Sequence, residues 1–323
     1  MVFMIPTEMR SREGSSRQWR QIATLVLASV FVTGCTNSKL IMGPLYNQLD
    51  NQIRSEFEKL GDFNATQTAA FEEAVGTFHV WHRQSEMPQY ATLIDELAKS
   101  IARDGATSPD DIKRWSETAE KHSLLARQCY PANFLFGTVQ TLTDEQINFI
   151  ERRFKNERRK NREKYGEQTQ QERIERRLKN IEKWAGRIGL DFTASQRATI
   201  RTSLTQQVSL RKEYYQLSEQ WNRELFVLAR DQEAANYSEQ LTAHVEKLWT
   251  LLEREHPEQW QKNRDIWQAS AFKLISSMSE QQRSGTSRWL AKMSKTVKAI
   301  SKDKPSFQVG TDPAVGCLVD RSS

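Results

Sequence analysis

The sequence predicts an all-α protein, an elongated multi-helix bundle of helical hairpins. Three observations carry this. Apolar residues recur at spacings of three and four through nearly every long segment, and no segment sustains the alternation of a strand. Breakers are few, with 13 Gly and 8 Pro in 323 residues, while Gln, Glu, Arg and Lys are abundant and mean hydropathy is −0.71. One helix-start pattern occurs four times: an apolar residue, then Asn, Thr or Ser, then Gln three positions later.

The chain opens on a leader. Arg10, Arg12, Arg17 and Arg20 precede an apolar stretch from Ile22 to Val32, and the run ends Val32-Thr33-Gly34-Cys35. A positive n-region, a short apolar region and a small-residue cleavage site make a secretory signal. A Cys directly after Gly34 makes it a lipoprotein signal, so Cys35 is expected to become the lipidated first residue of the mature chain. The apolar run of 11 residues falls well short of the ~20 needed to span a bilayer. Thr36 rather than Asp follows Cys35, which favours the outer membrane, facing the periplasm. Acyl chains such as palmitate stabilise insertion by ~0.8 kcal/mol per buried methylene. The leader carries four Arg and two Glu, so its removal lowers the formal charge from +6 to +4.

The organisation read from the sequence is a signal over 1–34, one helical domain over 35–300 and an irregular tail over 301–323, rich in Lys, Ser, Gly, Pro and Asp. Within the domain, Leu45, Leu49, Ile53 and Leu60 mark a first helix, and a second runs from about Asn64 to Trp81. Met87-Pro88 is expected to punctuate the chain, with Tyr90, Leu93, Ile94, Leu97 and Ile101 lining a third helix. Ser108-Pro109-Asp110-Asp111 starts a fourth, with Pro at the first helical position. It carries Ile112, Trp115 and Leu125, stops near Tyr130-Pro131, and is followed by an apolar connector from Asn133 to Thr141. The helix from Thr143 has Ile147, Ile150 and Phe154 on its apolar face. After Gly166, Ile174, Leu178, Ile181, Trp184 and Ile188 follow a coiled-coil-like spacing. The longest helix is expected from Thr193 to near Arg230. Leu241, Val245, Leu248 and Leu252 mark another seam, Pro257 begins a helix with Trp260, Trp267, Leu274 and Ile275, and Leu290, Met293, Val297 and Ile300 mark the last. Gly166 and Gly189 are the expected helix–helix corners.

The four recurring starts are Phe63-Asn64-Ala65-Thr66-Gln67, Leu142-Thr143-Asp144-Glu145-Gln146, Phe192-Thr193-Ala194-Ser195-Gln196 and Met278-Ser279-Glu280-Gln281-Gln282. Each is a capping box: the small polar side chain caps the first free backbone N–H groups, and the Gln reaches back. A Leu-Thr-x-x-Gln helix start, complete at Leu142, also resembles the Spy and CpxP type of periplasmic helical chaperone. That resemblance implies a tethered chaperone or stress adaptor for unfolded envelope proteins. A second resemblance covers most of the mature chain. Trp81-His82-Arg83-Gln84-Ser85-Glu86-Met87-Pro88-Gln89-Tyr90 is similar to the Trp-His-Arg-x-x-Glu-Leu-Pro-x-Tyr segment of an uncharacterised family of Gram-negative helical lipoproteins. Tyr46-Asn47-Gln48-Leu49-Asp50 fits it, as does Glu182-Lys183-Trp184-Ala185-Gly186 ahead of Phe192. Met87 replaces the usual Leu, and Arg187 to Asp191 is an insertion. The resemblance implies an address and a fold, without an activity.

Chemistry is sparse. His79, His82 and Glu86 are spaced to share one helix face; the reading is a polar cluster that packs against a neighbouring helix or binds a partner through His82, Arg83, Glu86 and Tyr90, rather than a metal site. Glu253-Arg254-Glu255-His256 lacks the second copy that a di-iron bundle needs. His122 and His244 are isolated in sequence. No zinc-type motif, phosphate loop or nucleophile elbow is present, so no enzyme, metal or cofactor is expected. Cys129 and Cys317 remain once Cys35 is lipidated, and an oxidising periplasm permits a disulfide between them.

From Glu151 to Arg187 the chain holds 14 Lys or Arg and seven Glu. This stretch is either a solvated, salt-bridged hairpin or a surface for an envelope partner: an acidic protein, anionic lipid or lipopolysaccharide. Arg152, Arg153, Arg158, Arg159, Arg176 and Arg177 are the candidate contacts. Export excludes nucleic acid. The sequence thus points to a lipid-anchored binding or scaffolding protein.

Overall fold

The computed structural model describes Tyr46 and residues 49–129, 141–166 and 168–302, and these residues contain helices and no strand. The leader with Cys35, the connector over 130–140 and the tail with Cys317 lie outside them.

The first helix, α1 (Leu49–Glu58), packs on α2 (Ala65–Trp81). The expected break at Met87-Pro88 does not occur: α2 passes through a single π turn, His82–Glu86, into α3 (Met87–Ile101). Proline has no N–H and its ring collides with the carbonyl four residues back, which normally kinks a helix. Here the ladder is already widened, with the Met87 N–H bonded to the His82 carbonyl five residues back. The proline therefore sits at the first turn of the resumed α-helix, where it is tolerated. Next come α4 (Pro109–Gln128), capped by Ser108, then α5 (Asp144–Tyr165) and α6 (Gln170–Arg187). At the corner after α6, Gly189 takes φ +70°, a conformation open to glycine at no steric cost.

The long helix expected from Thr193 is two helices, α7 (Ala194–Gln206) and α8 (Arg211–Leu228). Gln207 is extended, with ψ 138°. The unwound backbone at Val208 is held by Asn263, whose Oδ1 accepts from the Val208 N–H at 2.8 Å and whose Nδ2 donates to its carbonyl at 2.9 Å. One buried amide thus does the pairing that helix continuation would have done. The chain finishes with α9 (Tyr237–Lys247), a 3-10 turn at Leu248–Thr250, α10 (Leu251–Glu255), α11 (Pro257–Ser276) and α12 (Glu280–Ser301).

One core joins α1 to α3, the start of α5, α8, α9 and α12, while Ile174, Leu178, Ile200 and Leu204 form a smaller core between α6 and α7, flanked by Trp267 and Leu274. The most extensive helix pair among the described residues is α3 with α12. It runs antiparallel on small residues: the Ser287 hydroxyl donates to the Ala98 carbonyl at 2.8 Å, and Ser294 to the Ala91 carbonyl at 3.1 Å. Side chains that short let the helix backbones approach closely. No described helix is long and apolar enough to cross a membrane.

Candidate functional site

The residues singled out between Trp81 and Tyr90 converge on the π turn, and they are inside. His82 is fully buried, Arg83 is 1% exposed and Glu86 4%. His82, Arg83 and Glu86 lie in the π turn at positions i, i+1 and i+4, on one side of the helix, and all three are buried. Tyr46 shares a 2.9 Å hydrogen bond with His82 Nδ1 and stacks on both His79 and His82. The Arg83 guanidinium lies 4.8 Å over the Tyr46 ring and donates to the Ile300 carbonyl at 3.0 Å. It thereby satisfies one of the free carbonyls at the C-terminal end of α12, where a cation also complements the helix dipole. Glu86 turns to α4, where His122 Nδ1 sits 2.8 Å from its Oε2. His122, isolated in sequence, is therefore part of this cluster.

Burial dominates the electrostatics. It pushes His82 down to about 3 and His79 down to about 4, with His79 and Arg83 reinforcing the effect on His82, and Arg83 that on His79. Both rings are neutral at physiological pH. Tyr90 is raised by burial and by Glu86 beside it. His82 Nε2 has no hydrogen-bond partner among the described residues. His82, Arg83 and Glu86 are buried and committed to Tyr46, the Ile300 carbonyl and His122, so the cluster ties these elements together from the inside. His79, His82 and Glu86 do not converge as ligands; no described group of three or more His, Cys, Asp or Glu could hold a metal ion.

All four recurring starts form complete capping boxes. They also pair. Gln67 Nε2 donates to Gln146 Oε1 at 3.1 Å and to the Thr141 carbonyl at 2.5 Å; Gln146 Nε2 returns bonds to Gln67 Oε1 at 2.9 Å and the Asp62 carbonyl at 2.6 Å. Gln196 and Gln282 do the same, reaching the Ser277 and Asp191 carbonyls at 3.2 and 2.7 Å and each other at 3.2 and 3.0 Å. In every case the accepting carbonyl lies two residues before the partner's N-cap. Boxes closed by carboxylates, Ser108 with Asp111 and Thr169 with Glu172, are exposed. The chemistry explains why the pairs use Gln: a carboxylate only accepts, whereas an amide can close its own cap and still donate across. The chain runs through this arrangement twice. Phe57-Glu58-Lys59-Leu60 and Asp62-Phe63-Asn64-Ala65-Thr66-Gln67 in the first half correspond to Ile181-Glu182-Lys183-Trp184 and Asp191-Phe192-Thr193-Ala194-Ser195-Gln196 in the second.

The basic stretch divides between two supports. The helix α5 lies antiparallel to α8, with Glu151 on Arg230 at 2.6 Å, Phe154 against Phe226 and Arg162 on Glu219 at 3.4 Å. In contrast, α6 lies on α7, with Glu175 held by Arg201 at 3.0 Å and Glu182 by Arg197 at 2.7 Å. Of the candidate contacts, Arg152 and Arg159 are exposed, and Arg159 pairs with Glu163 at 2.8 Å. Arg153 and Arg158 are half-buried. Arg176 bonds Gln168, and Arg177 bonds Gln207 at 2.8 Å beside the Trp267 ring. Cys129 is in a disulfide whose partner lies outside the described residues.

Fold and site together define an all-α protein with a buried polar centre at a π turn and four helix starts joined in two amide pairs. The chain belongs to DUF6279, a family of unknown function, whose model matches residues 59–254. No curated protein and no solved structure matches it.

Proposed function

We propose that this chain is a lipoprotein of the outer membrane, tethered through Cys35 and facing the periplasm, that serves as a non-catalytic binding or scaffolding protein for an envelope partner. The observation that carries the reading is the leader, with its four Arg, short apolar run and Val-Thr-Gly-Cys35 ending. The geometry is consistent with a rigid frame: the polar residues that a catalytic reading would use are spent on holding helices together. The exposed cations Arg152 and Arg159 on α5 are the partner surface in this reading. The Leu142-Thr143-Asp144-Glu145-Gln146 start favours a second reading, a tethered Spy- or CpxP-like chaperone, through its resemblance to the helix starts of those proteins.

Photo-reactive side chains at Arg152 and Lys179, both exposed, test the two readings in living cells. One dominant adduct that depends on Cys35 supports the scaffold. A broad set of unfolded envelope proteins supports the chaperone and overturns the scaffold.

A further inference from the structure

The helix α12 carries a charge pattern unlike that of any other described helix. After Glu280 at its start, α12 has no acidic residue, yet Arg283, Arg288, Lys292, Lys295 and Lys298 lie on it and Lys302 caps it. At 100° per residue, Arg288, Lys292, Lys295, Lys298 and Lys302 fall on one face. That face is exposed, while Leu290, Met293, Val297 and Ile300 bury the other. Lys298 is paired with Asp95 of α3; Arg288, Lys292, Lys295 and Lys302 have no ion pair among the described residues. The row is ~21 Å long at 1.5 Å per residue. The basic helices α5 and α6 differ, since their cations alternate with Glu and several are paired.

Position adds to charge. The row ends at Lys298 and Lys302, which bracket Ile300. The Ile300 carbonyl is bonded by Arg83, and the same guanidinium covers Tyr46. The segment that leads back to Cys35 therefore joins the fold beside the cationic end of α12. Cys35 lies only 11 positions before Tyr46, a reach of at most about 40 Å of extended chain. We infer that the cationic face of α12 lies against the anionic lipid surface in which Cys35 is anchored, so that tether and helix fix the orientation of the bundle. A straight row of exposed, flexible cations suits a planar charged surface whose attraction acts over about a Debye length. The inference rests on the lipoprotein reading above.

The test uses the full chain purified from its own membranes. It is placed in vesicles of neutral phosphatidylcholine, and in vesicles also containing anionic phosphatidylglycerol, then treated with a water-soluble amine-acylating reagent. Mass spectrometry compares Lys292, Lys295 and Lys302 with the exposed α6 residues Lys179 and Lys183. The expected result is protection of the α12 lysines alone, in anionic vesicles alone, by about fivefold, the bias expected for one cation at such a surface. Salt at about 1 M should abolish it, and the exposed-face variant R288E/K292E should re-expose Lys295. Equal labelling in both vesicle types overturns the inference. The tether is read separately: a chain without acyl groups on Cys35 that fails to float with neutral vesicles overturns the lipoprotein reading. Protection on anionic vesicles would then still uphold the α12 surface, and flotation with neither would overturn both.

Discussion

Replacing Gln196 by Ala tests the paired helix starts. Gln196 is 2% exposed. Its Oε1 accepts from the Thr193 N–H at 3.0 Å and from Gln282, and its Nε2 reaches the Ser277 carbonyl, the Ser277 hydroxyl and Gln282 Oε1. A net hydrogen bond is worth about 1 kcal/mol, and buried groups left unsatisfied add to the loss. The side chain makes several bonds of imperfect geometry, so Gln196→Ala should cost about 2–4 kcal/mol. Gln282→Ala should cost somewhat less, because its side chain is less buried. Two of the bonds are shared by the pair and vanish with either substitution. The double variant should therefore be less damaging than the sum of the singles, with a coupling of about 1–2 kcal/mol. Gln196→Glu sharpens the test: a carboxylate still closes the Thr193 cap but cannot donate to Ser277 or Gln282, so it should destabilise nearly as much as Ala. Urea unfolding followed by far-ultraviolet circular dichroism reads all four proteins. Additive singles, or a Gln196→Glu chain as stable as the parent, would refute the reciprocal pairing.

Three further outcomes follow from the buried centre and the disulfide. Arg83→Met removes the donor to the Ile300 carbonyl and the cation over Tyr46, and should cost about 2–3 kcal/mol for a lost charged hydrogen bond; limited proteolysis should then clip the chain near the end of α12 first. His79 and His82 are depressed to about 4 and about 3 in the fold, so the unfolded chain binds protons that the folded chain refuses. Their stabilising contribution is complete above pH 6.5 and is lost as pH falls from there toward those values, by about 1.4 kcal/mol per pH unit for each ring. His82→Gln should make the urea midpoint less steep between pH 6 and about 4.5, and an unchanged slope would contradict the buried neutral ring. Reducing the Cys129 disulfide should destabilise by roughly 4–5 kcal/mol in the chain-entropy model for so long a loop, measurable as a lower urea midpoint with reductant present.

Helical periodicity, capping boxes and the corners at Gly166 and Gly189 were legible because they are local. Asn64, Thr143, Thr193 and Ser279 cap the helices they precede in the sequence, and nothing distant is needed to see it. What the sequence hid depends on residues far apart. The Asn263 clamp that breaks the long helix reaches Val208 across 55 positions, and Glu86 finds His122 across 36. The π turn was hidden for another reason: Met87-Pro88 reads as a stop unless the widened ladder ahead of the proline is known. For His82, Arg83 and Glu86 the sequence left packing and partner binding both open, because charged residues are seldom buried unless paired. Their pairing partners are Tyr46, the Ile300 carbonyl and His122, which no spacing rule would collect. The α12 row is sparse in the sequence, its cations spaced three to four apart among apolar and small residues, and only the packing of Leu290, Met293, Val297 and Ile300 shows that they share an exposed face.

The central claim is that Cys35 anchors this chain, and mass spectrometry of the protein extracted from its native membrane tests it most directly. The chain has three cysteines, and Cys129 is in a disulfide. The account predicts a protein that begins at an acylated Cys35, with a linked peptide joining Cys129 to Cys317. A protein that retains residues ahead of Cys35, or in which Cys35 is the disulfide partner of Cys129, would contradict it.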